Sequence, residues 1–419
     1  MKTPFRLAAA ACAALISTAA VTAEDPVLEW NSIMISTTST QNPILQSRFA
    51  AITQVAVFEA VNSIYQDYDP YVGTIAAPRS ASASAAAVAA AHGVLKYYFP
   101  TSASDLDAAR TVSLARIVDG RAKREGIAVG EAAAAAMIAL RTDDGSAPPR
   151  FHMPTSTEPG EWQLTPSCPP AGGVLLQWPD VRPFAIETAE QFRAQPPPAL
   201  KSRRYARDYQ EVMRVGDINS QYRPQDRTDV ARFYAVTSPI AVWNGAAAQV
   251  AIQQSRSMYE NARALALIDM AINDAQVSLF ETKYLYRLWR PETAIRAGDT
   301  DGNPLTRANP LFAPLVTTPC FPSYVSGHGG SSNAARAVLE RLYGARHHFV
   351  TLSNPAVAGV VLQYGDFRTI TSDIDDARIF GGIHFRFDQE AGAKLGRQVG
   401  TYVHQHTLRR KHGSSDECD

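Results

Sequence analysis

Asn261–Arg290 reads as one long helix. Leu265, Ile268, Ile272, Ala275 and Leu279 fall on a single apolar stripe. It is the strongest helix signal in the chain. Its C-terminal end departs from the stripe. Lys283 and Arg290, followed by Pro291, are seven positions apart. Seven residues is about two helical turns, which would put both cations on the face of Leu279. Two cations facing a core carry a heavy desolvation penalty unless an anion meets them there. The alternatives are that they snorkel to solvent or pair with carboxylates elsewhere.

A second stretch has the same bias. Phe321-Pro322-Ser323-Tyr324-Val325-Ser326-Gly327-His328 leads into a helix-like run from Gly329 to Tyr343, with Gly344 as its stop. Ser326 suits the N-cap. That places Ser326, Gly327 and His328 at a helix N-terminus, where free N–H groups and the macrodipole favour an anion. Read alone, it is a turn and a helix with a histidine nearby.

The third stretch is Arg378 through Asp388. Arg378 adds a cation, and His384 sits in an apolar and aromatic run. Asp388 is four residues on, within reach of one ring nitrogen if a helix continues. Such a partner fixes the tautomer and leaves the other nitrogen as ligand or nucleophile. A core histidine satisfied by a carboxylate is the plainer alternative. One tetrahedral oxyanion accounts for all three stretches. Lys283, Arg290 and Arg378 would neutralise its oxygens, Ser326 and the Gly327 N–H would bind the remaining lone pairs, and His328 and His384 would face opposite apices.

The rest of the chain is consistent with an all-α fold. Helices are expected at 44–65, 80–98, 105–126, 129–141, 201–215, 227–235, 246–258, 372–385 and 389–406. Strand signals are weak and scattered, and there is no internal repeat. Asp143–Arg182 is rich in Pro, Gly, Ser and Thr, with Trp162 and Trp178 within it. This reads as a long loop packed over a surface. His347-His348 and the basic tail Arg409-Arg410-Lys411-His412 are weaker signals. The first could bind a metal, but both are commonly incidental surface features.

Hydrophobic residues make up 46% of the chain and charged ones 19%, with a formal net charge of zero. That suits a globular protein and gives no reason to expect a nucleic-acid or anionic-membrane partner. Lys2, Arg6, the apolar Leu7–Ala20 and the small residues before Glu24 read as a secretory leader covering residues 1–23. The expectation is an exported, periplasmic or secreted chain without stable membrane insertion. Residues 24–419 would form one helical domain, with a helical part over 24–200 and a motif-bearing part over 201–410. Cys12 would leave with the leader, and Cys168, Cys320 and Cys418 remain. A Cys168–Cys320 bridge is the expected pairing, since both lie in Pro-rich loops; Cys418 is the other candidate partner.

Lys283-x6-Arg290-Pro291, then Pro322-Ser323-x-x-Ser326-Gly327-His328, then Arg378-x5-His384-x3-Asp388 resembles a known superfamily. It joins vanadium-dependent haloperoxidases to type 2 phosphatidic acid phosphatases and bacterial acid phosphatases. Arg182-Pro183-Phe184 through Leu200 resembles its soluble haloperoxidase-like bacterial branch. The resemblance implies a helical bundle with the oxyanion, vanadate or phosphate, held inside it. Lys283, Arg290, Ser326, Gly327 and Arg378 carry over as oxyanion ligands. His328 carries over as the acid–base residue, His384 as the axial vanadium ligand and Asp388 as its orienter. Ala377 stands where the phosphatase pattern has Ser. Val325 stands where haloperoxidases usually have Pro. Phe321 matches the chloride-oxidising branch, but Phe280 stands where that branch has Trp.

Two enzymatic readings follow from that resemblance. One is oxidation of halide by hydrogen peroxide. The other is hydrolysis of a phosphate ester through a phosphohistidine at His384, with His328 protonating the leaving group. A third reading is an oxyanion-binding protein without turnover, against which His328 argues.

Overall fold

The computed structural model describes residues 25–411, so the expected leader and Cys418 lie outside the described residues. Thirteen α-helices fall within the described residues. In the N-terminal half they are α1 (Pro26–Thr38), α2 (Pro43–Tyr65), α3 (Ala83–Tyr98), α4 (Ala103–Ala115) and α5 (Arg121–Arg141). After a long irregular segment come α6 (Arg203–Val215), α7 (Gln225–Val236), α8 (Pro239–Gln253), α9 (Met258–Tyr286) and α10 (Pro291–Arg296). The chain ends with α11 (Gly327–Tyr343), α12 (Phe367–Phe380) and α13 (Arg386–His406). A single antiparallel hairpin, β1 (Arg346–Ser353) and β2 (Val361–Asp366), links α11 to α12.

α9 is the axis of the bundle. It starts in a capping box, where Ser257 Oγ accepts from the Glu260 N–H and Glu260 accepts from the Ser257 N–H. α2, α11, α13 and α8 pack around it. One apolar cluster runs from Val27 to Leu408 and includes Leu265, Ile268, Ile272, Ala275 and Leu279. α2 is long and apolar enough to cross a membrane by composition, but it is buried in this bundle. Its Arg48 donates to Asp144, 2.7 Å away, and its Glu59 accepts from the Tyr71 N–H.

Small residues set the closest approaches. Gly392, Gly396 and Gly400 form one stripe of α13 laid against the α11 backbone. A Cβ at Gly396 would lie 2.0 Å from the Gly330 carbonyl oxygen, and one at Gly400 would lie 2.2 Å from that of Ala334. Any larger residue there would push α13 off α11, and α11 carries Ser326 to His328 at its start. Gly126 and Gly130 bring α5 onto the alanine-rich α3 in the same way.

Several expected boundaries move. The 261–290 helix ends at Tyr286, because Arg287 takes a left-handed conformation (φ 43°) and its N–H caps Lys283. Arg290 is instead the extended residue before Pro291 (φ −83°, ψ 155°), as proline requires of its predecessor. Lys283 and Arg290 therefore do not share a helix face. The expected 105–126 helix breaks after Ala115, and its end from Arg121 belongs to α5. The helix expected at 246–258 lies at 239–253, and that at 372–385 lies at 367–380. The hairpin was not anticipated, although His348, Val350 and Leu352 alternate inward along β1.

The Pro-rich stretch 143–182 is irregular, as read. It buries Trp162 and Trp178 against the bundle. Cys168 and Cys320 form a disulfide with their Cα atoms 5.0 Å apart, tying this stretch to the segment before Ser326. His348 is not a surface residue: its ring stacks on Phe367 and Nε2 meets the Gly344 carbonyl at 2.7 Å.

Candidate active site

The three sequence stretches meet at a cavity of about 720 Å³ whose lining includes Lys283, Gly327, His328, Arg378 and His384. Lys283 comes from the last turn of α9 and Arg378 from the last turn of α12. Gly327 and His328 open α11, and His384 lies in the link between α12 and α13. Four segments thus converge, because the expected 372–385 helix, which held both Arg378 and His384, ends at Phe380.

Lys283 is wholly buried. Nζ donates to the carbonyls of Pro322 and Ser323, both at 2.9 Å, leaving one donor over. Arg290, also wholly buried, lies on the Nε2 side of His384. Its Nε donates to the Phe321 carbonyl (2.8 Å) and its Nη1 to that of Ile383 (3.0 Å), while Nη2 has no partner. Arg378 donates to the Tyr234 carbonyl at 3.1 Å and its Nε is unpartnered. The Phe321 ring lies within 5.1 Å of Lys283 Nζ and 5.0 Å of the Arg290 guanidinium, a cation–π contact with each.

His384 is oriented from behind. Asp388 Oδ2 accepts from Nδ1 at 2.8 Å, from Ser323 Oγ at 2.5 Å and from the Phe385 N–H at 3.1 Å. The proton is thereby held on Nδ1, and Nε2 carries the lone pair. That lone pair meets Arg290 Nη1 at 3.1 Å. Nη1 keeps its bond to Ile383 if Nε2 turns to another partner.

Ser326 does cap α11: its Oγ accepts from the Gly329 N–H at 3.2 Å. Its own hydroxyl hydrogen remains available. Gly327 is the first helical residue, with only Gln276 Oε1 near its side-chain position (3.8 Å from a Cβ), so the cavity can approach its backbone closely.

Burial shows in the titration of every group, and neighbouring charge in all but Arg378. Burial first, then Arg290 and Arg378, push the Lys283 ammonium well below its usual range. Burial takes Arg290 down to about 9, with Arg378 adding to the effect, and it takes Arg378 to about 10. His328 is pushed well down by burial, Arg378 and Lys283. His384 is pushed well down by burial and all three cations. Asp388 goes up through burial, opposed by the Ser323 hydrogen bond and by Lys283. Among the described residues Asp388 is the one carboxylate acting on Lys283 and Arg290; its Oδ2 is occupied by His384 and Ser323, while Oδ1 has no hydrogen-bond partner. Three buried cations thus share a site with two unpaired guanidinium nitrogens, Arg290 Nη2 and Arg378 Nε. This donor set fits a tetrahedral oxyanion.

The sequence reading missed two residues here. Ser323 orients Asp388; it lies inside the Pro-Ser-x-x-Ser-Gly-His motif but was given no role. Gln276 lies seven positions before Lys283 on the same face of α9. Its Nε2 donates to Ser331 Oγ (2.5 Å), while Oε1 is buried in the cavity lining without a partner. The two-turn spacing argument that fails for Arg290 holds for Gln276.

The fold is similar to that of solved bacterial vanadium haloperoxidases. Residues 263–413 match the family model of the VCPO second helical-bundle domain. The vanadium chloroperoxidase of Curvularia inaequalis is 26% identical over 195 residues; the match covers 39% of this chain and 31% of that protein's length. Among solved structures, a bacterial vanadium-dependent iodoperoxidase superposes with a TM-score of 0.77 at 26% identity, over 92% of this chain and 97% of that one. A bacterial vanadium-dependent chloroperoxidase in its holo form gives 0.71 at 17% identity over 88% and 93%, a likeness of fold.

Proposed function

We propose that this chain is a vanadium-dependent haloperoxidase-like enzyme that oxidises halide with hydrogen peroxide. The observation that carries this reading is the buried cluster of Lys283, Arg290 and Arg378, with donors unpaired and its one carboxylate engaged by His384. The iodoperoxidase-like fold over nearly the whole chain supports the choice of chemistry.

In this reading Lys283, Arg290 and Arg378 would neutralise vanadate, Ser326 Oγ and the Gly327 N–H would donate to its oxygens, and His384 Nε2 would ligate it. Bound there, vanadate supplies a Lewis-acidic centre that makes peroxide an oxygen donor to halide. The overall reaction takes halide, peroxide and one proton to hypohalous acid and water, so a proton must reach the oxygen that leaves as water. His328 delivers it. Its ring is neutral in the anion-free site, because burial and two cations hold its pKa well down. Negative charge beside it reverses that bias and lets it take a proton from solvent. Asp388 and Ser323 keep the His384 proton on Nδ1 throughout.

Phosphate ester hydrolysis would use the same groups, with His384 Nε2 as nucleophile. A paired assay separates the two. Halogenation of a phenolic dye with vanadate, peroxide and bromide supports the haloperoxidase reading. Hydrolysis of an aryl phosphate without vanadate, and no halogenation with it, replaces that reading by the phosphatase one. The leader-like residues 1–23 and the Cys168–Cys320 disulfide support action outside the reducing cytosol.

A further inference from the structure

The cavity is larger than its floor requires. At about 30 Å³ per heavy atom, an oxyanion, a peroxide and a halide together fill roughly a third of its 720 Å³. The whole falls in the range that encloses a small organic molecule. Above the cations the wall is apolar: Ile44 from α2, Val236 and Pro239 at the α7–α8 junction, Leu315 and Val316, and Val357 from the hairpin loop. Val236 is 54% exposed, so this collar faces solvent at the mouth.

The same wall is one-sided in charge. Lys283 and Arg378 line the floor, Arg232 lines the collar, and no aspartate or glutamate lines the cavity. Arg232 lies one turn before Val236 on α7. It has no hydrogen bond or ion pair to any described residue. After burial, it is the next cause that lowers the Arg223 guanidinium, a neighbour of its own sign. An exposed cation beside an apolar wall, with another cation near it, is suited to a ligand that is apolar along its body and anionic at one end.

We infer that the collar binds the organic acceptor of the reaction, and that this acceptor is an aromatic carboxylate, its ring against Val236, Leu315 and Val316 and its carboxylate on Arg232. The inference rests on the haloperoxidase reading for its chemistry. Hypohalous acid formed below gives its halogen to a ring carbon. The O–X bond breaks as the C–X bond forms, and the hydroxide leaves with the ring proton as water. Halogenation then takes place in the collar, ahead of escape of the oxidant to solvent.

The test is a competition on the full chain loaded with vanadate. 4-Hydroxybenzoate and its neutral counterpart 4-hydroxybenzamide compete for bromination, and their product ratio is compared with that given by reagent hypobromous acid. Equilibrium dialysis measures 4-hydroxybenzoate binding directly, and iodide oxidation without any organic acceptor reports the oxidant step. The enzyme should favour the carboxylate over the reagent's ratio by about two- to fivefold, the upper range of a single exposed ion pair. Arg232→Gln should bring the ratio back to that of the reagent and weaken dialysis binding by the same factor. Val236→Asp, a change at an exposed position, should push the ratio towards the benzamide. A ratio equal to the reagent's in the unaltered protein, or no dialysis binding, overturns the inference. Absence of iodide oxidation sinks the haloperoxidase reading instead, and dialysis then still decides whether the collar holds the carboxylate.

Discussion

Asp388 Oδ2 lies 2.8 Å from Nδ1 of His384 and holds that ring from outside any shared helix. α12 has already ended at Phe380, and Asp388 sits in the first turn of α13, so the four-residue spacing is bridged by a turn. The consequence is a fixed tautomer. His384→Ala should abolish tight vanadate binding. Asp388→Asn should weaken it by about 10–100-fold, as loss of a ligand's orienting partner does. His328→Ala should still bind vanadate and lose about 10²–10⁴-fold in turnover. Vanadate dialysis beside turnover measures all three. Retained binding in His384→Ala with lost binding in His328→Ala would reverse the assignment.

Lys283 illustrates a conflict between stability and function. In the anion-free protein its burial and its cationic neighbours work against the charge, while two carbonyls hold it in place. Lys283→Met exchanges a desolvated charge for two lost hydrogen bonds, effects of opposite sign and similar size. Its stability without anion should therefore stay within about 2 kcal/mol of the parent. The difference should emerge with ligand. A hundredfold excess of vanadate over Kd stabilises a binding protein by about 2.7 kcal/mol, and Lys283→Met should gain almost none of it. Thermal unfolding with and without vanadate reads this; an unchanged vanadate-induced shift would remove Lys283 from the site.

Gln276 presents an unpaired amide oxygen to the cavity beside Gly327. Only a protonated partner satisfies it. Gln276→Leu keeps the approximate volume and removes the acceptor. We expect turnover to fall by about tenfold, the worth of roughly one hydrogen bond, with vanadate affinity changed less. Equal loss in both would mark Gln276 as a support for α11 through Ser331.

Away from the site, Glu59 links stability to pH. Burial raises its carboxyl to about 7, offset in part by the Tyr71 N–H. The folded chain therefore holds a proton between about 4.5 and 7 that the unfolded chain releases. This contribution is fully present below the unfolded value and is lost as pH rises through 7. Glu59→Gln should remove that part of the decline, on the order of 1–3 kcal/mol between pH 5 and pH 8. Chemical denaturation at the two pH values measures it; parallel losses in parent and variant would show that Glu59 is not the group responsible.

Much of this was readable in the chain. The caps of α11, Ser326 and Gly344, lie where their residue types place them, and the stripe of α9 is the buried one. Local chemistry decides those features. What escaped depends on contacts distant in sequence. Arg287 ends α9 in a left-handed turn, and its carbonyl accepts from the Trp162 N–H; nothing near residue 287 announces it. The hairpin pairs strands whose short alternation is easily lost among polar neighbours. The glycine stripe of α13 has meaning only against the α11 backbone. The helical reason for pairing Lys283 with Arg290 fails; they come together because both donate to the carbonyls of Phe321, Pro322 and Ser323 from separate elements.

The most direct measurement is a titration of the vanadate-free protein with orthovanadate while iodide oxidation by peroxide is followed. The account predicts no activity at the start, a rise to a plateau at one vanadate per chain, competition by phosphate, and no rise in His384→Ala. Activity independent of vanadate, or none at saturating vanadate in a protein that binds it, would contradict the account.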